Sequence, residues 1–191
     1  MEHIGLFGGS FDPVHLGHLL MAQAAREELD LARLVFIPAA QSPFKPESAP
    51  TPAPERLRLL RLALAGKSWC EIDEQEIQRG GVSYTIDTLR EYASRFPQAQ
   101  LLYLIGADHL AQLSKWRAAE ELARLAEFVV IPRPGQAEAP FPAPFRGRWL
   151  AGFPLGVSSS QIRARVKAGL PIDHLVPGVV AEAIRNNRLY L

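Results

Sequence analysis

Gly8-Gly9-Ser10-Phe11-Asp12-Pro13-Val14-His15-Leu16-Gly17-His18 follows the apolar run of residues 4–7 and leads into a helical pattern beginning near Leu16. A buried-strand candidate, a turn of small residues and a helix start thus stand in direct succession. In an α/β fold that junction is where a phosphate group meets the N-terminus of a helix. Gly8 and Gly9 allow positive φ and leave backbone N–H groups uncovered, so a phosphate oxygen can approach the main chain closely. Pro13 fixes its own φ and restricts Asp12. His15 and His18 are three residues apart, which at a helix start places both rings on one face beside the helix N-terminus. Two imidazoles and unpaired N–H groups together suit a phosphate. A metal site is the competing chemistry, with Asp12 near the pair, but no further Cys or His cluster completes a zinc set. The glycines also miss the three-glycine spacing of a dinucleotide-binding fingerprint.

Outward from this junction, strand and helix patterns alternate. The first helix is expected over residues 16–29, with apolar positions at Leu19, Leu20, Ala24 and Ala25, and a second strand over residues 34–37. Residues 38–54 are rich in Pro, Ala and Ser and read as a surface loop carrying Lys45. A helix follows over residues 56–65, a strand over 69–73, and a helix over 85–96 after the Gly80-Gly81 break. The most apolar strand run, residues 101–105, ends at Gly106-Ala107-Asp108 and passes into a helical pattern through Ala126. Residues 128–131 form another strand, residues 132–144 a second proline-rich loop, and residues 149–155 a last strand. Ser158 or Ser159 then caps a helix that includes Ile162 and Val166 and stops at Gly169, and a terminal helix begins near Val179. Strands separated by helices predict one α/β domain over residues 1–191, built on a parallel, doubly wound sheet with ligands at the carboxyl ends of its strands.

Composition narrows the partners. The chain has 191 residues, 21 Lys and Arg against 20 Asp and Glu, and a net charge of +1, so no whole-molecule field draws it to nucleic acid or to a membrane surface. No apolar stretch approaches the ~18–20 residues of a membrane span. Met1-Glu2-His3 runs straight into the first strand, so no targeting segment is expected, and Cys70 alone forms no internal disulfide, in keeping with a cytoplasmic protein. A homo-oligomer is left open.

With these residues in view, the chain resembles the nucleotidyltransferase superfamily, whose signature is a His-x-x-His after a Gly-rich first turn, here His15 to His18. Within it, the sequence looks like the bacterial nicotinate-nucleotide adenylyltransferases. The likeness spans nearly the whole chain through Ser83-Tyr84-Thr85, Asp87-Thr88-Leu89, Ile105-Gly106-Ala107-Asp108, Trp116, Arg133-Pro134-Gly135 and Val157-Ser158-Ser159-Ser160-Gln161-Ile162-Arg163. Two departures stand out. Phe44, before Lys45, replaces a histidine frequent in the family, and Val157 and Ser160 replace its usual Ile and Thr while keeping an apolar anchor and a hydroxyl.

The resemblance implies a Rossmann-like sheet with helices on both faces, and transfer of the adenylyl group of ATP to nicotinate mononucleotide, giving deamido-NAD and pyrophosphate. It implies Mg²⁺ held mainly by ATP phosphates and water, with no dedicated protein ligand set. It further implies that His18 serves the α-phosphate with His15 beside it, while Lys45 and Arg163 clamp the β- and γ-phosphates. Gly8, Gly9, Ile105, Gly106, Asp108, Arg133, Ser158 and Ser159 would line the ATP half, with Asp108 toward the ribose. Ser10 and Phe11 would serve both the ATP and the mononucleotide, their backbone following the mononucleotide phosphate, and Lys45 would also reach the mononucleotide, whose pyridine ring and carboxylate Thr85, Trp116 and Arg117 would receive. An acceptor phosphate is already anionic near neutral pH, so the histidines are expected to donate hydrogen bonds instead of removing a proton. Taken alone, Trp116 also fits a core aromatic, Thr85 a helix cap, and His3, His109 and His174 structural or exposed positions. A sister enzyme acting on phosphopantetheine or nicotinamide mononucleotide, and a nucleotide-binding module without turnover, are the alternatives.

Overall fold

The computed structural model describes residues 1–43 and 50–191. The elements run β1 (His3–Gly9), α1 (Leu16–Leu29), β2 (Arg33–Pro38), α2 (Ala53–Leu64), β3 (Cys70–Ile72), α3 (Gln75–Arg79), α4 (Thr85–Arg95) and β4 (Gln100–Gly106). They continue with α5 (Ala107–Leu110), a 3-10 turn (Leu113–Lys115), α6 (Ala119–Leu125), β5 (Glu127–Ile131), β6 (Gly147–Trp149), α7 (Ser159–Lys167) and α8 (Gly178–Asn186). All six strands are parallel, in the order β3-β2-β1-β4-β5-β6. The expected doubly wound sheet is therefore present, and the strand order reverses between β1 and β4.

Strand alternation divides the apolar side chains between two layers. Phe7, Leu34, Phe36, Leu102, Leu104 and Val129 pack against α1, α2, α7 and α8 on one face. Ile4, Leu6, Val35, Ile37, Tyr103, Ile105 and Val130 pack against α4, α5 and α6 on the other. Burial on both faces is what the near-continuous apolar strand runs demand. Among the described residues no helix is long and apolar enough to cross a membrane.

Several boundaries depart from the sequence reading. α2 starts inside the first proline-rich stretch, because Pro52 takes the cap position and Pro54 the first turn, where a missing N–H costs no helical bond. α3 was not anticipated; its five residues are too few for a periodic pattern. The helical pattern from Ala107 through Ala126 breaks into three pieces, with Trp116 extended and Ala118 left-handed at φ 56°. The last strand lies earlier than expected, at Gly147–Trp149, and residues 151–155 leave the sheet. There Gly152 turns at φ 54°, and the N–H groups of Ala151 and Gly152 donate to the Glu28 carboxylate at 2.8 and 2.7 Å.

Candidate active site

The reversal of strand order opens a crevice over the carboxyl ends of β1 and β4, and a cavity of about 640 Å³ fills it. It is lined by Gly8, Gly9, Ser10, Phe11, His15, His18, Thr85, Ile105, Gly106, Asp108, Trp116, Arg133, Ser158, Ser159 and Arg163, all expected from the sequence to meet one ligand pair. Residues spread along the chain from Gly8 to Arg163 are thus gathered, some at the ends of β1 and β4 and others, such as Thr85, Ser158, Ser159 and Arg163, at or near the starts of α4 and α7.

The histidines take a defined arrangement. His15 is the N-cap of α1, and its Nδ1 accepts from the His18 N–H at 3.3 Å. His18 reciprocates, its Nδ1 accepting from the His15 N–H at 3.2 Å. A side chain of this kind satisfies N–H groups that a helix start leaves unpaired. The rings stack with centroids 3.6 Å apart. Because each Nδ1 is an acceptor, each neutral ring carries its proton on Nε2. Charging is opposed: burial, then Arg133, pushes His15 down to about 4, and burial with His15 and Arg133 holds His18 well below its usual value. The site therefore holds two neutral imidazoles, each with one N–H to give and no free lone pair.

The turn before them corrects one expectation. Gly8 and Gly9 lie in β1 and are not at positive φ; the left-handed residue is Phe11, at φ 45°. Gly8 is required for space, since a Cβ there would collide with the Tyr103 hydroxyl. The turn is tied to α7, with Arg163 Nη1 donating to the Asp12 carbonyl at 2.7 Å and Ser159 Oγ donating to the Pro13 carbonyl at 2.9 Å. Ser158 caps α7 in a reciprocal box with Gln161, settling the choice between Ser158 and Ser159.

At the β4 end, Arg133 Nε and Nη2 both donate to Asp108 Oδ1 at 3.4 Å. Burial alone would raise the Asp108 carboxyl, but its own backbone N–H and Arg133 outweigh it and keep the group below its ordinary value. At the opposite end Thr85 opens α4, with Tyr84 at the cap position making no side-chain cap bond, so Thr85 is not the cap. Its hydroxyl lies 3.3 Å from that of Tyr103. Behind it Glu76, buried, accepts from Thr88 Oγ1 at 2.6 Å and from Ser83, whose Oγ accepts the Ala40 N–H at 2.9 Å. Burial raises the Glu76 carboxyl above its usual range, and these hydroxyls only partly offset it.

Trp116 presents its ring to the cavity and also packs edge-on to Phe128 at 6.2 Å, so it serves the core as well as the site. Arg117 is not among the lining residues; its guanidinium covers the Tyr84 ring at 4.7 Å. Lys45 and the Phe44 departure lie outside the described residues. His3 is structural as expected, with Nδ1 3.0 Å from the Leu29 carbonyl, but His109 lines the cavity with its ring 6.0 Å from Trp116. Sequence reading missed Glu76, Ser83 and Tyr103 in the wall. Tyr103 was marked by its hydroxyl inside the apolar strand run; it stands in register opposite Leu6, whose face of β1 Gly8 shares. Glu76 had no local signal, because its partners come from other segments.

A cytidylyltransferase-like family model matches residues 6–165. A relative from Opitutus terrae named "Probable nicotinate-nucleotide adenylyltransferase" is 42% identical over 98% of this chain and 97% of its own. Relatives of the same name from Herpetosiphon aurantiacus and Bacillus licheniformis are each 39% identical over 100% of this chain and 100% and 99% of their own. The solved nicotinic acid mononucleotide adenylyltransferase of Plasmodium falciparum, complexed with NaAD, is similar with a TM-score of 0.82 and 18% identity, covering 100% of this chain and 98% of that one. At that identity the likeness concerns the fold.

Proposed function

Because the chain belongs to the cytidylyltransferase-like family, and within it to the nicotinate-nucleotide adenylyltransferases, we propose that its cavity transfers the adenylyl group of ATP to nicotinate mononucleotide, giving deamido-NAD and pyrophosphate in NAD biosynthesis. The observation that carries this reading for the site is the reciprocal His15–His18 cap, which leaves two neutral N–H donors on residues that line the cavity at the start of α1.

Transfer brings an anionic phosphate oxygen in line with the α-phosphorus of ATP while pyrophosphate departs, so charge has to be stabilised as it moves. The acceptor phosphate has its second pKa near ~6 and attacks without a general base. His18 and His15 donate from Nε2 to the α-phosphate oxygens, and as neutral donors they add no charge that ground-state ATP would neutralise in advance. The N-terminus of α7, with Ser158 at its cap and Ser159 and Arg163 in its first turns, faces the departing phosphates, where a helix N-terminus and a planar fork of donors both favour negative charge. Lys45 completes this clamp in our reading. Asp108 and Arg133 flank the adenosine half, with Gly106 admitting it closely.

Magnesium enters as the substrate complex Mg–ATP and neutralises charge on the leaving pyrophosphate. In this reading the ion would be carried by the ATP phosphates and water, and Asp108, which lines the cavity, could accept from a metal-bound water. For the acceptor, Trp116 offers a ring face, and Thr85 at the start of α4 offers its hydroxyl and the helix N-terminus for a carboxylate. Donors facing an anion favour nicotinate over nicotinamide, whose amide would meet them with donors of its own.

The test is pyrophosphate release from Mg–ATP with nicotinate mononucleotide, nicotinamide mononucleotide or phosphopantetheine as acceptor. Release with nicotinate mononucleotide in clear preference to the other two is expected. Release only with another acceptor, or ATP binding without release, would overturn the reading.

A further inference from the structure

Arg56 stands outside the cavity wall, on α2, and is only 1% exposed. Its Nη1 donates to the Ser10 carbonyl and its Nε to the Thr51 carbonyl, both at 2.8 Å. A buried guanidinium needs a counter-charge, and the nearby Asp12 carboxylate supplies it. Asp12 is itself buried and fully engaged, Oδ2 accepting from the Thr51 N–H at 3.1 Å and Oδ1 from the Tyr190 hydroxyl at 2.9 Å. Arg56 and Asp12 together thus gather the phosphate turn, the residues before α2 and Tyr190.

The consequence lies in the peptide joining Ser10 to Phe11. That peptide is trans and planar, so its C=O and N–H point in opposite directions. Arg56, which is outside the cavity lining, holds the Ser10 carbonyl, and the N–H of Phe11, a lining residue, points the opposite way along the peptide. Phe11 pays for this with a left-handed backbone at φ 45°, a conformation that costs a non-glycine residue energy unless its surroundings hold it. Among the described residues no acceptor pairs with the Phe11 N–H, although the Phe11 side chain is buried. We propose that Arg56 is a positioning residue, which holds the Ser10–Phe11 peptide so that the Phe11 N–H receives the phosphate of the mononucleotide acceptor. This rests on the adenylyl-transfer reading and adds to it a residue that never touches substrate.

Arg56→Lys keeps the charge but replaces a fork serving two carbonyls with a single point donor. If the assignment holds, KM for nicotinate mononucleotide rises by about 10-fold or more, the scale of one hydrogen bond to a charged group, while KM for ATP and kcat stay within about twofold. A second measurement uses the wild-type protein alone: in ¹H–¹⁵N spectra titrated with nicotinate mononucleotide, the Phe11 amide is among the resonances that move. It decides the matter if Arg56→Lys fails to fold. An unmoved Phe11 amide at saturation overturns the assignment. So does a folded Arg56→Lys enzyme with unchanged kinetics, or one whose two KM values and kcat deteriorate alike, as general loosening would produce; in these cases wild-type turnover leaves the adenylyl-transfer reading standing. A wild-type enzyme that does not turn over nicotinate mononucleotide overturns both.

Discussion

Replacing His18 by Asn and by Gln separates its two nitrogens. In His18→Asn the introduced amide carbonyl would sit near the position of Nδ1 and keep accepting the His15 N–H, a bond of 3.2 Å in the native chain, but nothing would remain where Nε2–H now donates. His18→Gln would place an amide N–H near the Nε2 position, and its carbonyl could still accept the His15 N–H, as Gln161 accepts that of Ser158. A lost preorganised donor to developing charge costs about 3–4 kcal/mol of transition-state stabilisation, or roughly 10²–10³ in turnover. His18→Asn is therefore expected to fold with near-native stability and to lose at least ~10² in kcat. His18→Gln should also keep near-native stability and retain distinctly more of its turnover. Urea unfolding and pyrophosphate release measured on both variants give the pattern. The opposite ranking, with the Asn variant the more active, would refute the assignment of Nε2–H to substrate.

Protonation of the same pair predicts acid sensitivity. The unfolded chain takes up a proton at His15 below pH 6.5, whereas the folded site resists until about 4, so stability present above 6.5 is lost as pH falls toward 4, by about 3 kcal/mol in all. In urea unfolding between about pH 7.5 and about pH 4.5 wild type should lose more stability than His15→Asn, and parallel losses would count against it. Gly8→Ala forces a methyl onto the Tyr103 hydroxyl and should cost about 1–3 kcal/mol, with Tyr103→Phe restoring part of it in the double variant; simple additivity in denaturation would contradict the contact. Trp116→Ala should raise KM for nicotinate mononucleotide about 10-fold, the scale of one aromatic stack, and leave KM for ATP nearly unchanged; equal effects on both would remove Trp116 from the acceptor end.

The fold was legible where the sequence carries period and punctuation. The apolar runs around Leu6, Phe36, Leu102 and Val129 are buried on both faces and could only be parallel core strands, and α1 begins and ends where its pattern does. It was illegible where tertiary contacts overrule local preference. Glu28 captures the two N–H groups that would have extended the last strand, and Ala118 in a left-handed conformation interrupts an otherwise helical run so that Trp116 faces the cavity. The site followed the same division. The junction from Gly8 to His18 was found from its own residues, and Thr85, Trp116 and Arg163 came from the family likeness. Arg56, Glu76 and Tyr190, and the buried role of Asp12, were found by neither, since their meaning is a set of hydrogen bonds between segments up to 178 residues apart. The tautomers of His15 and His18 belong to this second kind: spacing brought the rings together, and only the reciprocal cap fixed which nitrogen donates.

That cap also makes the most exacting claim. With Nδ1 occupied and Nε2 protonated, neither imidazole offers a lone pair to attack the α-phosphorus, so the acceptor phosphate attacks ATP directly. A single diastereomer of ATP carrying sulfur at the α-phosphorus, turned over with nicotinate mononucleotide, reports the number of displacements through the configuration of the dinucleotide product. Inversion is the expected result. Retention would mean two displacements through an adenylylated enzyme and would contradict the assignment of His15 and His18 as donors.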